Sequence, residues 1–145
     1  MVLPKTEKWI VNLVAALDKY VDEETRLKML EECGRKCWLW ERARNPKTFR
    51  AIYKKSKNLD DFLDKLSKVN KHLHREDGKV YIVYPRCLCS QVHHIPKGQL
   101  SGTYCNCSIG WAKALFEGAL ERPVEVLLKE SIIKGDKQCK LQVVL

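Results

Sequence analysis

No stretch of this chain approaches the roughly 18 consecutive apolar residues that a membrane-spanning helix requires. Its opening, MVLPKTEK, has neither the apolar core nor the small-residue cleavage site of a secretory signal. A cytoplasmic location is therefore expected. There is no Gly-rich phosphate loop and no G-x-S-x-G, which removes the commonest signatures of phosphate cradling and of serine hydrolysis. Internal repeats and low-complexity segments are missing. Acids are scarce beyond Gly78: only Glu117, Glu121, Glu125, Glu130 and Asp136, placed where surface helix and turn positions fall, so catalytic carboxylates are hard to argue for.

What is there describes a globular domain. The 145 residues are 45% hydrophobic and 31% charged, enough for one domain, 1–145, that buries about two-thirds of its unfolded surface without help from disulfides. The net charge is +9, from 27 Lys and Arg against 18 Asp and Glu. Most of it is interspersed with acids. The exception is 42–57, which carries Arg42, Arg44, Lys47, Arg50, Lys54, Lys55 and Lys57 and no acid. With Phe49 and Tyr53 at helical spacing as core positions, this run reads as a solvated helix face, and no nucleic-acid motif accompanies it. Nucleic acid is not an expected partner.

Periodicity predicts helices first. Ile10, Leu13, Val14 and Leu17 form a helical stripe that Trp9 extends, and Asp22-Glu23-Glu24 puts acids where a second helix would start. That helix carries Leu27, Leu30, Cys33 and Cys37 on one side. Asn45-Pro46 breaks the chain before a short third helix, and Asn58 suits the cap of a fourth with the stripe Phe62, Leu66, Val69 and Leu73. His72 and His74 would follow its end and face solvent. After the Asp77-Gly78 turn, residues 80–84 (VYIVY) read as a strand that Pro85 terminates. Ser108 is placed to cap a helix bearing Ile109, Trp111, Leu115 and Phe116. Val124, Val126 and Leu128 alternate in a strand, and Gly135 turns the chain into a last strand bearing Cys139, Leu141, Val143 and Leu145. The fold class is α+β: a helical N-terminal half, then a small antiparallel sheet with a C-terminal strand-helix-hairpin.

Seven cysteines are the chemistry of this chain, six of them paired: Cys33 with Cys37, Cys87 with Cys89, and Cys105 with Cys107. Where thiols stay reduced, such clusters are more often metal-binding or catalytic than disulfide-forming. Residues i and i+2 of an extended chain point the same way, as do i and i+4 of a helix, so each pair can offer two sulfurs to one ligand. Any two pairs would supply the four thiolates of a zinc site or an iron–sulfur cluster, although no C-x2-C knuckle is present. Cys107, at the expected start of a helix, would gain a lowered pKa there and could serve as a nucleophile with His93 or His94 as base. Cys139, on the apolar face of the last strand, reads as a buried small residue.

Tyr104-Cys105-x-Cys107-Ser108-x-Gly110-Trp111, the Arg122-Pro123-Val124-Glu125-Val126 segment and Lys134-Gly135-Asp136-x-x-Cys139-x-Leu141 resemble the end of the 4-vinyl reductase-type, or hydrocarbon-binding, domain. That α+β fold is shared with a vesicle-tethering subunit that holds an acyl chain, and its members are viewed as small-ligand sensors or carriers. With C-G-x-x-C from Cys33 and Tyr84-Pro85-x-Cys87-x-Cys89, the whole chain is similar to a family of uncharacterised prokaryotic cysteine-rich proteins. The C-terminal end also resembles the L-2-amino-thiazoline-4-carboxylic acid hydrolases, at Cys105, Cys107 and Cys139. The leading expectation is a ligand-binding or sensor protein. Cys87, Cys89, Cys105 and Cys107, with Cys33 and Cys37 in reserve, hold zinc or an iron–sulfur cluster. A pocket lined by Tyr84, Trp111 and Leu115 takes a small, apolar molecule, and a homodimer is an open option. The alternative is a thiol hydrolase of a small cyclic amidine or amide, with Cys107 as nucleophile and His93 as base.

Overall fold

The computed structural model describes residues 2–37 and 46–145. Arg42, Arg44 and Asn45 of the basic run lie outside these residues. The element order is α1 (Lys5–Tyr20), α2 (Glu23–Arg35), α3 (Pro46–Lys54), α4 (Leu59–Val69), β1 (Leu73–Glu76), β2 (Lys79–Tyr84), a 3-10 helix (Gly102–Asn106), α5 (Cys107–Leu120), β3 (Glu125–Glu130) and β4 (Cys139–Val144). The fold is α+β. The four strands form one antiparallel sheet in the order β1-β2-β4-β3.

Local chemistry starts several of these elements where the sequence says it should. Asp22 accepts the Thr25 N–H at 2.9 Å and Asn58 the Asp61 N–H at 2.9 Å, so α2 and α4 are both side-chain capped. Pro46 opens α3. Asp77 and Gly78 take φ of 49° and 74° between the paired residues Glu76 and Lys79. This two-residue turn matches the right-handed strand twist and closes a β-hairpin.

That hairpin corrects one expectation. The fourth helix does not run on to Leu73: it ends at Val69, which is exposed, and Leu73 opens β1 with its side chain in the core. Nor does His72 face solvent. It is buried, donates from Nδ1 to the Val83 carbonyl at 3.2 Å and packs on the Tyr84 ring. His74 is exposed.

The main core lies between one sheet face and helices α3, α4 and α5. Phe49, Phe62 and Phe116 meet edge to face there, with centroids 5.5 Å apart for Phe49 and Phe116, over Val80, Ile82, Leu141 and Val143. The basic third helix is bound into this fold. Arg50 donates to the Ala119 carbonyl at 2.7 Å and pairs with Glu121 at 2.9 Å, clamping the end of α5. Helix α1 stands apart on a second, smaller core. Its Val14 is buried with Val92 and Leu100, against Ile10, Cys87, Cys89 and Tyr104. Trp9 and Leu13, expected on the apolar stripe, are exposed because α1 buries only the narrow face centred on Val14.

Helix α2 packs on α5 with main chains in near contact. A methyl group on Gly34 would lie 1.6 Å from the Cys107 carbonyl oxygen, and one on Gly110 would lie 1.8 Å from that of Glu31. Only hydrogen atoms fit at this crossing. Ion pairs flank it: Arg35 reaches Glu117 at 2.7 Å and Glu31 at 3.3 Å, and Lys113 reaches Glu31 at 2.9 Å. Burial pushes the Glu117 carboxyl up, but Arg35, the Val124 N–H and Lys113 outweigh it and leave the pKa lowered.

Candidate functional site: a cavity walled by six cysteines

Four parts of the chain meet at one end of the sheet. Tyr84 ends β2 and is the register partner of Cys139, which begins β4. The chain leaving β2 through Pro85 therefore passes beside Cys139 as it presents Cys87 and Cys89. The 3-10 helix and the first turn of α5 bring Cys105 and Cys107. The Gly34–Cys107 contact holds the last turn of α2 against them, so Cys37 follows one turn beyond Gly34.

The result is a cavity of about 520 Å³ lined by Cys37, Cys87, Cys89, Cys105, Cys107 and Cys139. Tyr84, Tyr104, Trp111, Ser108, Ser131 and Leu128 are among the residues that complete its wall, and among the described residues no Asp, Glu, Lys, Arg or His lines it. This volume is in the range of small-molecule sites. Each of the seven cysteines is a thiol rather than half of a disulfide.

The sulfurs are held by specific donors. Ser131, fully buried, donates its hydroxyl to Cys105 Sγ at 3.0 Å, and the Ile132 N–H points to Cys139 Sγ at 3.5 Å. Asp136 fixes this turn by accepting the Ser131 N–H at 2.7 Å. Tyr104 gives its one hydroxyl proton to Gln91 Oε1 at 2.8 Å, so at 3.6 Å from Cys89 it accepts from that thiol. Were Cys89 ionised, the same hydroxyl could turn and donate to the sulfur.

Burial pushes the Cys105 thiol up to about 11, with Ser131 opposing and Cys139, Cys87 and Cys89 adding to the rise. Cys87 and Cys139 are raised by burial as well, Cys87 further by Cys139 and Cys89, and Cys139 further by Asp136 and Cys89. Cys107 is raised by burial first, then by Cys89, Cys37 and Cys105. The expectation of a helix N-terminus lowering the Cys107 pKa is thus reversed, for two physical reasons. The thiol is desolvated among other thiols, and the 3-10 helix runs straight into α5. The Cys107 N–H is already turned back to the Tyr104 and Cys105 carbonyls, and Ser108 lies inside the helix instead of capping it.

The other sequence candidates are placed as follows. Tyr84 and Trp111 line the cavity. Leu115 does not; one turn further along α5, it is fully buried in the main core. Cys33 is on the exposed side of α2, away from the cavity wall. Cys139, read from sequence as a packing residue, stands in the wall instead. The signal that could have found it is its place at the head of the strand that pairs with β2. His93 and His94 are not brought to Cys107. His94 Nε2 pairs with Glu7 at 2.5 Å, and His93 donates from Nδ1 to the Cys89 carbonyl at 2.9 Å while lining a neighbouring cleft. Among the described residues, no three His, Cys, Asp or Glu side chains stand close enough to share one metal ion as they are arranged.

A family profile described as a family of unknown function, DUF6144, matches residues 3–145. The chain belongs to the DUF6144 family. No curated protein matches the chain. Among the described residues no helix is long and apolar enough to cross a membrane.

Proposed function

We propose that this DUF6144 protein is a cytoplasmic small-ligand-binding or sensor protein whose thiols hold a soft metal centre, an iron–sulfur cluster or zinc. One observation carries the reading: six cysteines from distant parts of the chain share the wall of a single cavity in which, among the described residues, no charged side chain stands. Thiols buried merely as small apolar residues have no reason to converge. Converged, they oppose one another's ionisation, and a bound cation removes that opposition by binding the thiolates it releases from protons.

The donors aimed at Cys105 and Cys139 support the same reading, since hydrogen bonds to sulfur stabilise thiolate and tune a bound centre. A single zinc ion needs four ligands at about 2.3 Å, closer together than any three of these groups stand. A polynuclear cluster spans a wider set of thiolates than a single ion does. Tyr84 and Trp111 would give the ligand space its apolar side, in keeping with the resemblance to hydrocarbon-binding domains. The separation of His93 and His94 from Cys107 gives the hydrolase alternative no base at its nucleophile.

The test is iron, acid-labile sulfide and zinc content, with a visible spectrum, on anaerobically purified protein. Near-stoichiometric iron with sulfide and broad visible absorption, or zinc near one per chain, is the expected result. A colourless protein with well under one metal per chain overturns the proposal.

A further inference from the structure

Among the described residues the thiol cavity has no charged side chain, but the surface beside it does. Cys87 lines the cavity and also two neighbouring clefts of about 280 and 630 Å³. The clefts share His93, Ile132 and Asp136, and between them carry Arg86, Lys97 and Lys137. Three cations thus face one acid, Asp136, whose Oδ2 accepts the Ser131 N–H at 2.7 Å.

Some cations elsewhere are paired, while others, such as Lys5, Lys68 and Lys129, stand on open surface without a partner among the described residues. Arg26, Arg35, Arg50, Arg75, Lys113 and Lys140 all have carboxylate partners. Among the described residues, Arg86, Lys97 and Lys137 have neither an ion pair nor a side-chain hydrogen bond. Cations left unpaired around a concave surface concentrate anions there, and an arginine among them can hold a carboxylate or phosphate by two hydrogen bonds.

We infer that the two adjoining clefts at Cys87 bind a small organic anion, through Arg86 and Lys137 in one and Lys97 in the other, and present it to Cys87 at the entrance of the thiol cavity. The inference goes beyond the metal reading and does not rest on it, because the clefts are charged whatever the thiols hold.

Two disulfide reagents test it on the reduced, metal-free full chain: dithionitrobenzoate, a dicarboxylate, and dithiodipyridine, which is uncharged. In either reaction the Cys87 thiolate attacks one sulfur, a mixed disulfide forms, the other half leaves as a thiolate or thione, and the thiol proton goes to solvent. Peptide mapping should resolve a Cys87 phase of dithionitrobenzoate labelling, separate from that of the exposed Cys33 and Cys37, and Cys87→Ser should abolish that phase. The combined variant Arg86→Glu, Lys97→Glu, Lys137→Glu should slow it roughly tenfold, and salt should slow it in the wild-type chain. The rate with dithiodipyridine should hardly change in either case. The absence of any Cys87 phase with dithionitrobenzoate overturns the inference. So does a dithionitrobenzoate rate indifferent to salt, or an equal loss with both reagents. The salt series on the unaltered chain decides even if the variant fails to fold.

Discussion

Ser131 shows how a single residue prepares a sulfur. It is fully buried, yet its hydroxyl donates to Cys105 and its backbone is tied to Asp136. Ser131→Ala should weaken metal binding about tenfold, as loss of an outer hydrogen bond at a metal site does, and lower stability by only about 1 kcal/mol. Competition against a chromophoric chelator reads the first and denaturant unfolding the second; an unchanged metal affinity would separate Ser131 from the site.

The thiols also give the metal-free protein a characteristic pH response. Cys105, Cys87 and Cys139 have pKa values raised in the folded chain, so folding favours their protonated forms. Their contribution is fully present below the unfolded value of 9.0 and is lost as pH rises toward the folded value, about 11 for Cys105. Melting temperature of the reduced, metal-free protein should therefore fall between about pH 9 and pH 11. Metal affinity should run the opposite way at lower pH, weakening on acidification as protons compete for the sulfurs. A flat melting profile through that alkaline range would show that burial does not hold these thiols protonated.

At the scale of elements, the crossing of α2 and α5 decides whether Cys37 belongs to the site. Gly34 and Gly110 admit the opposing carbonyls, and each stands three residues from a cavity cysteine, Cys37 and Cys107. Gly34→Ala or Gly110→Ala must push main chain away from main chain. Each should destabilise by about 1–3 kcal/mol in denaturant unfolding. Each should also weaken metal binding more than its effect on folding explains, since the helices part at the cavity wall. Wild-type affinity in a folded Gly34→Ala protein would remove Cys37 from the ligand set.

The elements differ in how readily they are read. Caps at Asp22 and Asn58, Pro46 at the start of α3 and the Asp77-Gly78 turn are local chemistry, so their elements stand where expected. The boundary between α4 and β1 was not legible, because Leu73 continues the helical period of Phe62, Leu66 and Val69. The two-residue hairpin overrides that period by pairing Leu73 with Ile82. Cys33 and Cys37 likewise share a stripe by spacing, but Gly34 marks the face that α5 covers, and that contact leaves Cys33 outside.

For the molecule as a whole, the two cores are joined through the thiol cavity. Cys87, Cys89 and Tyr104 pack in the smaller core with α1, while Tyr84 and Trp111 pack against the main one. A ligand that bridges the cavity wall should therefore stabilise both together. Saturating metal at a hundredfold excess over Kd should add about 2.7 kcal/mol, seen as one higher melting transition. A second transition that ignores metal would instead show that the α1 core unfolds independently of the site.

From its sequence alone this chain determined an α+β fold and the pairing of its cysteines along the chain, because caps, turns, period and residue chemistry are local properties. Only the tertiary structure decided which six sulfurs share a cavity, that Cys139 joins them and Cys33 does not, and that burial raises the pKa of Cys87, Cys105, Cys107 and Cys139. Strand register, a glycine crossing and desolvation set those outcomes, and each depends on residues far apart in the chain.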